Sequence, residues 1–274
     1  VAGFWLGSRA VTRGYRLNGF DSVGSTSTEA ARAAQAGDTG DVWFCALQQT
    51  AGRGRRGRPW QSPYGNLAAS LLVVPDVDPA IAATLGFVAG VSLNRALASI
   101  VPAAILKTGI DGADTADGRI ALKWPNDVLA DGAKLAGILL EAHKRPDGSM
   151  AIVVGIGVNV VEAPEGLPYP ATSLRALGLD ASAETVFGAL SDAWVDAVEL
   201  WDRGRGVTQV LELWRRSAAG IGAEVAVNRD GDIVRGIFET IDEGGRLIVR
   251  ANDNSRIAIT AGDVHFGTTA SVRN

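Results

Sequence analysis

The chain has 274 residues, 47% of them apolar, and a formal net charge of −4. That is enough apolar material for one large core, or a main domain with a small appendage, and it excludes a disordered chain. A single cysteine excludes an internal disulfide, and two distant histidines (His143 and His265) with no Cys/His cluster exclude a structural zinc site.

The opening run Val1-Ala2-Gly3-Phe4-Trp5-Leu6-Gly7 is too short for a signal peptide, and no apolar run reaches the roughly 20 residues of a membrane span. With Cys45 unpaired inside the apolar run Val42–Leu47, these features predict a packed strand and a reducing, cytoplasmic compartment. The mild acidity argues against a general nucleic-acid binder.

Tyr15 to Val23 reads as a strand. Ser25-Thr26-Ser27-Thr28 supplies hydroxyl caps, residues 29–36 are alanine-rich, and Gly37 follows, which together predict a short helix. Asp41 to Gln49 is a buried strand. Gln49 at its end offers an amide suited to a cyclic urea, an amide or a nucleobase edge, or simply to solvent. Next comes Gly52-Arg53-Gly54-Arg55-Arg56-Gly57-Arg58-Pro59-Trp60. Cation density of this kind repels itself and calls for an anion. The glycines let backbone N–H groups approach a ligand, arginine forks match phosphate or carboxylate, and Trp60 offers a face the size of a nucleobase. The motif alone fits either a loop that closes over a nucleotide or a solvated basic turn. It is not a P-loop, because the Gly-Lys-Ser/Thr end is missing.

Asn66 to Val74 is a further strand, and Pro79 to Ile100 carries helical periodicity through Ile81, Leu85, Val88, Leu93 and Leu97. Residues 108–118, rich in Gly, Asp and Thr, read as a mobile insertion. Strands follow at Ile120–Trp124, Ala136–Ala142 and Met150–Val158, the last two joined as a hairpin through Pro146-Asp147-Gly148. In Lys123-Trp124-Pro125-Asn126-Asp127 the proline holds Trp124 extended, so Lys123 ends a strand and Asn126-Asp127 lie in a turn. A lysine so placed delivers one fixed positive charge, or only snorkels to solvent. Gly137 inside the strand after Lys134, and the glycines of Gly155-Ile156-Gly157-Val158-Asn159, mark close approach by another group. The latter is not a dinucleotide fingerprint, because the third glycine and following helix are absent.

Glu184 to Trp201 is an amphipathic helix, and Val207 to Arg216 a shorter one. After Ala219 the pattern changes to short apolar runs separated by glycine turns, which reads as a small β-barrel. The boundary divides the chain into residues 1–219 and 220–274.

In their order and at about this spacing, residues 49–60, Lys123-Trp124-Pro125-Asn126-Asp127, Lys134-Leu135-Ala136-Gly137-Ile138-Leu139 and Gly155-Ile156-Gly157-Val158-Asn159 resemble the biotin–protein ligase family, the biotin–[acetyl-CoA-carboxylase] ligases. The resemblance covers roughly residues 20–265. It implies an α+β fold with a mixed sheet and flanking helices like a class II aminoacyl-tRNA synthetase or biotin synthetase core, plus a C-terminal SH3-like β-barrel. It implies that biotin and ATP, with Mg2+, form biotinyl-5'-AMP, and that biotin then passes to a lysine of a biotin carboxyl carrier protein.

Carried over by position, the resemblance assigns Ser25, Thr26, Ser27, Gln49, Gly52, Arg53, Gly54, Arg55, Lys123 and Gly137 to biotin. It assigns Arg55, Arg58, Trp60, Lys123, Asn126 and Asn159 to ATP, with Lys123 and Arg55 catalytic and no protein side chain assigned to metal. Ser27 stands where the family carries Asn. Only about 20 residues precede the core, so a monofunctional ligase is expected, with no DNA or membrane partner. Two other readings are a lipoate-type acyl-protein ligase on the same core and a nucleic-acid-binding module built on the arginine loop.

Overall fold

The computed structural model describes residues 3–101, 120–229 and 232–266. The insertion expected at 108–118 lies outside them.

A seven-stranded sheet carries the larger part of the chain. Its strands are β1 (Arg16–Phe20), β2 (Val42–Ala46), β3 (Leu67–Val73), β4 (Ile120–Lys123), β5 (Asp127–Ala130), β6 (Ala133–Lys144) and β7 (Met150–Val158), in the order β1-β2-β3-β7-β6-β5-β4. β1 and β2 run parallel and every other neighbour is antiparallel, so the sheet is mixed.

β2 explains the layering. All five of its residues are buried because both faces are covered. Val42 and Phe44 join Ala30, Ala34, Leu72 and Val153 beneath α2 (Thr26–Gln35). Trp43 and Cys45 turn the other way, into the main core with α4 (Leu85–Ile100) and α5 (Ala183–Trp201). There the Trp43 ring meets Phe187 and Trp194 edge-on, at 5.4 and 6.1 Å between centroids. α6 (Val207–Arg216) packs on α4 and α5.

The expected helix over 79–100 is two helices, α3 (Pro79–Ala83) and α4, meeting at Thr84. Its 22 residues have a mean hydropathy of 1.4, long and apolar enough to cross a membrane by composition, contrary to the sequence expectation. Ser92, Asn94 and Arg95 break up the apolar run and conceal it. Most of the stretch is buried against the sheet and α5, as in the core helix of a globular domain.

The C-terminal part forms a five-stranded antiparallel sheet: β8 (Glu224–Arg229), β9 (Asp232–Ile241), β10 (Leu247–Arg250), β11 (Arg256–Ile259) and β12 (Asp263–Phe266), in the order β11-β10-β9-β8-β12. No pairing between β11 and β12, which would close a barrel, occurs among the described residues. Val225, Val227, Phe238, Leu247 and Val264 continue the main apolar cluster into this sheet.

Among the described residues, one helix and two strands escaped the sequence. α1 (Ser8–Thr12) carries no cap of its own; the Asp192 carboxylate of α5 accepts from the N–H groups of Arg9 and Ala10, at 2.9 and 3.1 Å. β5 begins inside Asn126-Asp127, read as a turn, and β12 offers only two apolar residues, Val264 and Phe266.

Candidate active site

Ser25 caps α2, its hydroxyl accepting from the Thr28 N–H, and so delivers Thr26 and Ser27 on the first helical turn. Gln49, just beyond β2, turns its Oε1 to the Thr26 N–H at 2.9 Å and hydroxyl at 3.1 Å. Thr26 Oγ1 lies 2.8 Å from the hydroxyl of Ser70 on β3, and Ser27 Oγ lies 3.1 Å from the same atom. The result is a buried, uncharged nest of one amide and three hydroxyls. Sequence reasoning missed Ser70, although a polar residue interrupting Leu67–Val73 was a usable signal.

The arginine loop starts beside this nest. The Trp60 N–H donates to the Gly52 carbonyl at 2.9 Å and the Gly54 N–H to the Arg58 carbonyl at 2.7 Å, closing the loop on itself. A Cβ on Gly52 would lie 2.4 Å from the Trp60 carbonyl oxygen, so the closure requires glycine there. Arg56 and Gly57 make the tip, both at positive φ.

Each arginine has a partner. Arg53 meets Glu141 at 3.2 Å, and Arg55 Nη1 donates to Asn126 Oδ1 at 2.9 Å. Arg56 and Arg58 both meet Asp263 on β12. Asn126 is itself clamped to β6, with its Nδ2 donating to the Ile138 carbonyl at 2.7 Å and its carbonyl accepting from the Ile138 N–H at 2.8 Å. The motif therefore ties the loop to the sheet through an amide.

The glycines of β6 and β7 form the floor. Gly137 and Gly157 are cross-strand partners, and the indole of Trp60 lies over both. Gly155, one step along the same face, makes room for Ser27, whose hydroxyl a Cβ would meet at 3.0 Å.

Two lysines flank this floor. Lys123 ends β4 as expected, beside the cis Trp124–Pro125 bond, and the Trp124 indole N–H donates to the Gly245 carbonyl at 3.0 Å, fastening the strand end to the C-terminal sheet. Lys123 Nζ sits 5.5 Å from the centre of the Phe266 ring. Burial lowers its pKa; Asp127 and Asp263 oppose that fall and Lys134 adds to it. Burial also lowers the Arg55 pKa, with Asp263 as the leading opposing charge.

Lys134, which the sequence left as a possible exposed strand start, is instead largely enclosed. Its Nζ pairs with Asp127 at 2.7 Å and stands between the rings of Trp60 and Tyr169, at 5.6 and 5.4 Å. Its nearness to Gly137, three residues on, was the available signal. Asn159 is buried, its amide nitrogen donating to the Thr172 carbonyl at 3.1 Å, while its Oδ1 has no hydrogen-bond partner among the described residues. A cavity of about 580 Å³ opens at the foot of the loop, lined in part by Gln49, Gly52, Trp60, Ser62, Glu162 and Glu165. Lys123, Arg55 and Asn159 do not line it.

Residues 21–159 match the family model described as Biotin/lipoate A/B protein ligase family, and residues 220–267 match the biotin protein ligase C terminal domain. A biotin--[acetyl-CoA-carboxylase] ligase of Paracoccus denitrificans is 36% identical over 253 residues, covering 89% of this chain and 97% of the relative. This chain belongs to the biotin protein ligase family. A second member of the family, from Mycobacterium tuberculosis, named with the same activity, is 34% identical over 88% of this chain and 85% of its own. The biotin protein ligase of Aquifex aeolicus, solved with biotin and ATP, shares the fold with a TM-score of 0.72 at 24% identity, over 92% of this chain and 98% of that one.

Of the residues expected at the site, Thr26, Ser27, Gln49, Gly52, Trp60 and Gly137 lie around one floor. Arg55, Asn126 and Lys123 lie along β4 to β6. Ser25 spends its hydroxyl on the helix cap, Gly54 shapes the loop, and Asn159 stands past the end of β7. Arg53 and Arg58 are about half exposed or more and pair with Glu141 and Asp263.

Proposed function

We propose that the protein is an ATP-dependent ligase that activates biotin as biotinyl-5'-AMP and transfers it to a lysine of a biotin carboxyl carrier protein or domain of a biotin-dependent carboxylase. One observation carries this reading. A single sheet floor holds an uncharged amide-and-hydroxyl nest at one end and a cluster of cations at the other. Biotin has that polarity: a neutral ureido head, an apolar body and a carboxylate tail.

In this reading Thr26, Ser27, Gln49 and Ser70 hold the ureido group. Gly52, Gly54 and Gly137 shape the loop and floor, and Arg53 closes over biotin. In the first step a carboxylate oxygen of biotin attacks the α-phosphorus of ATP; the new O–P bond forms as the α–β bond breaks, and pyrophosphate leaves. Two anions converge in that step, so cations that bind most strongly at the crowded transition state lower its barrier. Lys123 and Arg55 are assigned this role, and Lys134 stands close enough to the floor to share it. Arg58 meets phosphate, Trp60 offers its outer face to the adenine, and the unpartnered Asn159 Oδ1 suits an exocyclic amine.

In the second step the carrier's lysine amine attacks the acyl carbon, an amide forms and AMP departs. The closed loop keeps water from the acyl-adenylate in the interval. Among the described residues no group of three or more His, Cys, Asp or Glu could hold a metal ion. Mg2+ is assigned to the phosphate oxygens of ATP.

The same reading makes residues 1–219 the biotin- and ATP-binding unit, residues 220–274 an SH3-like barrel that backs the cation end, and the cytoplasm the working compartment. Biotin-dependent exchange of pyrophosphate into ATP tests the first step. Exchange with lipoate but not biotin would transfer the assignment to a lipoate-type ligase.

A further inference from the structure

Asp263 stands at the start of β12, on the C-terminal sheet, yet its carboxylate faces the arginine loop. A single oxygen, Oδ2, lies 3.0 Å from Arg58 Nη2 and 3.3 Å from Arg56 Nη1. The same carboxylate is a favourable charge for Arg55 and for Lys123. Asp127, which also acts on Arg55 and Lys123, is engaged by Lys134 at 2.7 Å. One acid from the C-terminal sheet therefore pairs with two arginines of the loop, Arg56 and Arg58, and lies near the cation end of the site.

The contacts are of an exchangeable kind. Both arginines share one oxygen, and neither contact is a two-oxygen fork. The Arg58 side chain is 64% exposed, so solvent screens its pairing. A polyphosphate brings more charge and more acceptor oxygens than one carboxylate, and outcompetes it for the same guanidinium groups.

We propose that Asp263 is a built-in stand-in for nucleotide phosphate. It holds the arginine loop against the C-terminal sheet while no nucleotide is bound, and yields Arg56 and Arg58 when a polyphosphate enters. The C-terminal sheet thereby senses whether the nucleotide site is filled. The proposal rests on the assignment of the arginine loop to phosphate.

The sign of one affinity tests it. The full chain, its Asp263→Asn variant and its Asp263→Glu variant are titrated with inorganic pyrophosphate by calorimetry, and amide exchange is followed over residues 50–60. Removing a competing anion should make pyrophosphate bind Asp263→Asn about three- to tenfold more tightly, the scale of one or two partly exposed ion pairs. Without ligand, the loop of that variant should exchange faster than wild type, and saturating pyrophosphate should bring both to the same protection. Asp263→Glu, which keeps the charge, should behave like wild type, showing that charge and not packing is responsible. Unchanged or weaker binding by Asp263→Asn, with wild type binding normally, would make Asp263 a static latch and overturn the proposal alone. If wild type binds no pyrophosphate, the phosphate role of the loop fails with it.

Discussion

Gly157 lies directly beneath the indole of Trp60: a Cβ on Gly157 would stand 2.4 Å from both Cε2 and Nε1 of the ring. Its cross-strand partner Gly137 would bring a Cβ to 3.2 Å from Cζ3. The far end of the arginine loop is thus seated on the floor by a flat ring over two missing side chains. Gly157→Ala should unseat the ring and cost about 1–3 kcal/mol of overpacking, while weakening biotin binding. In a Trp60→Ala background the same substitution should cost almost nothing, because the clashing ring is gone. Thermal melts and biotin titrations of the two single variants and the double variant complete the cycle. Additive losses would show that the floor and the ring are not coupled.

Lys123 is fixed at a strand end, with the Phe266 ring beside its ammonium group and the next residue, Trp124, fastened to the C-terminal sheet. Lys123→Ala should slow adenylate formation by more than ~100-fold, the scale of losing one preorganised electrostatic donor, with little change in melting temperature. Rapid-quench measurement of biotinyl-AMP decides this. A near-normal rate would assign Lys123 to the scaffold and leave Lys134 as the cation that serves the reaction.

The loop and the strand-end lysine were legible in the sequence because charge density and proline restriction are local properties. So were β2, an unbroken apolar run, and α5 and α6, whose apolar patterns run long enough to show a period. What the glycines approach was not legible: Gly137 and Gly157 announced an absent wall, but only the pairing of β6 with β7 brings Trp60 onto it. Ser70 showed only as a polar break in an apolar strand, while the roles of Asp127 and Asp263 depend on contacts across the sheet or between the two sheets that no local spacing encodes. The partners of the arginines were missed for the same reason. Self-repulsion along the loop is offset by Glu141, Asn126 and Asp263, all far away in the chain.

Ser70 is fully buried and touches the hydroxyls of both Thr26 and Ser27. Ser70→Ala leaves the Ser27 hydroxyl without that partner and should cost about 1–2 kcal/mol of stability. If the nest holds the ureido group, the KM for biotin should rise about tenfold with kcat little changed, the pattern of lost uniform binding. A lower kcat at unchanged KM would remove the nest from substrate binding.

Burial lowers the Lys123 pKa relative to a solvated lysine. The charged form exists below the native pKa and is lost as pH rises through it. The alkaline limb of kcat/KM for adenylation should therefore fall at lower pH than an ordinary lysine would give. The contribution to stability has the opposite sign. Between the native and the unfolded pKa the unfolded chain binds more protons, so this group makes folding more favourable as pH rises. Activity should decline across a range in which this residue does not weaken the fold. Lys123→Arg should move the limb to higher pH, and a limb that stays in place would exclude Lys123 as its origin.

The work proposed for this site is to join biotin to a protein lysine at the expense of ATP. Intact mass spectrometry of a biotin carboxyl carrier domain, after incubation with the protein, biotin and MgATP, tests it most directly. A mass increase of one biotinyl group on the carrier is expected, dependent on ATP and absent when the acceptor lysine is replaced by arginine. An unchanged carrier mass, under conditions in which another biotin protein ligase modifies the same domain, would contradict it.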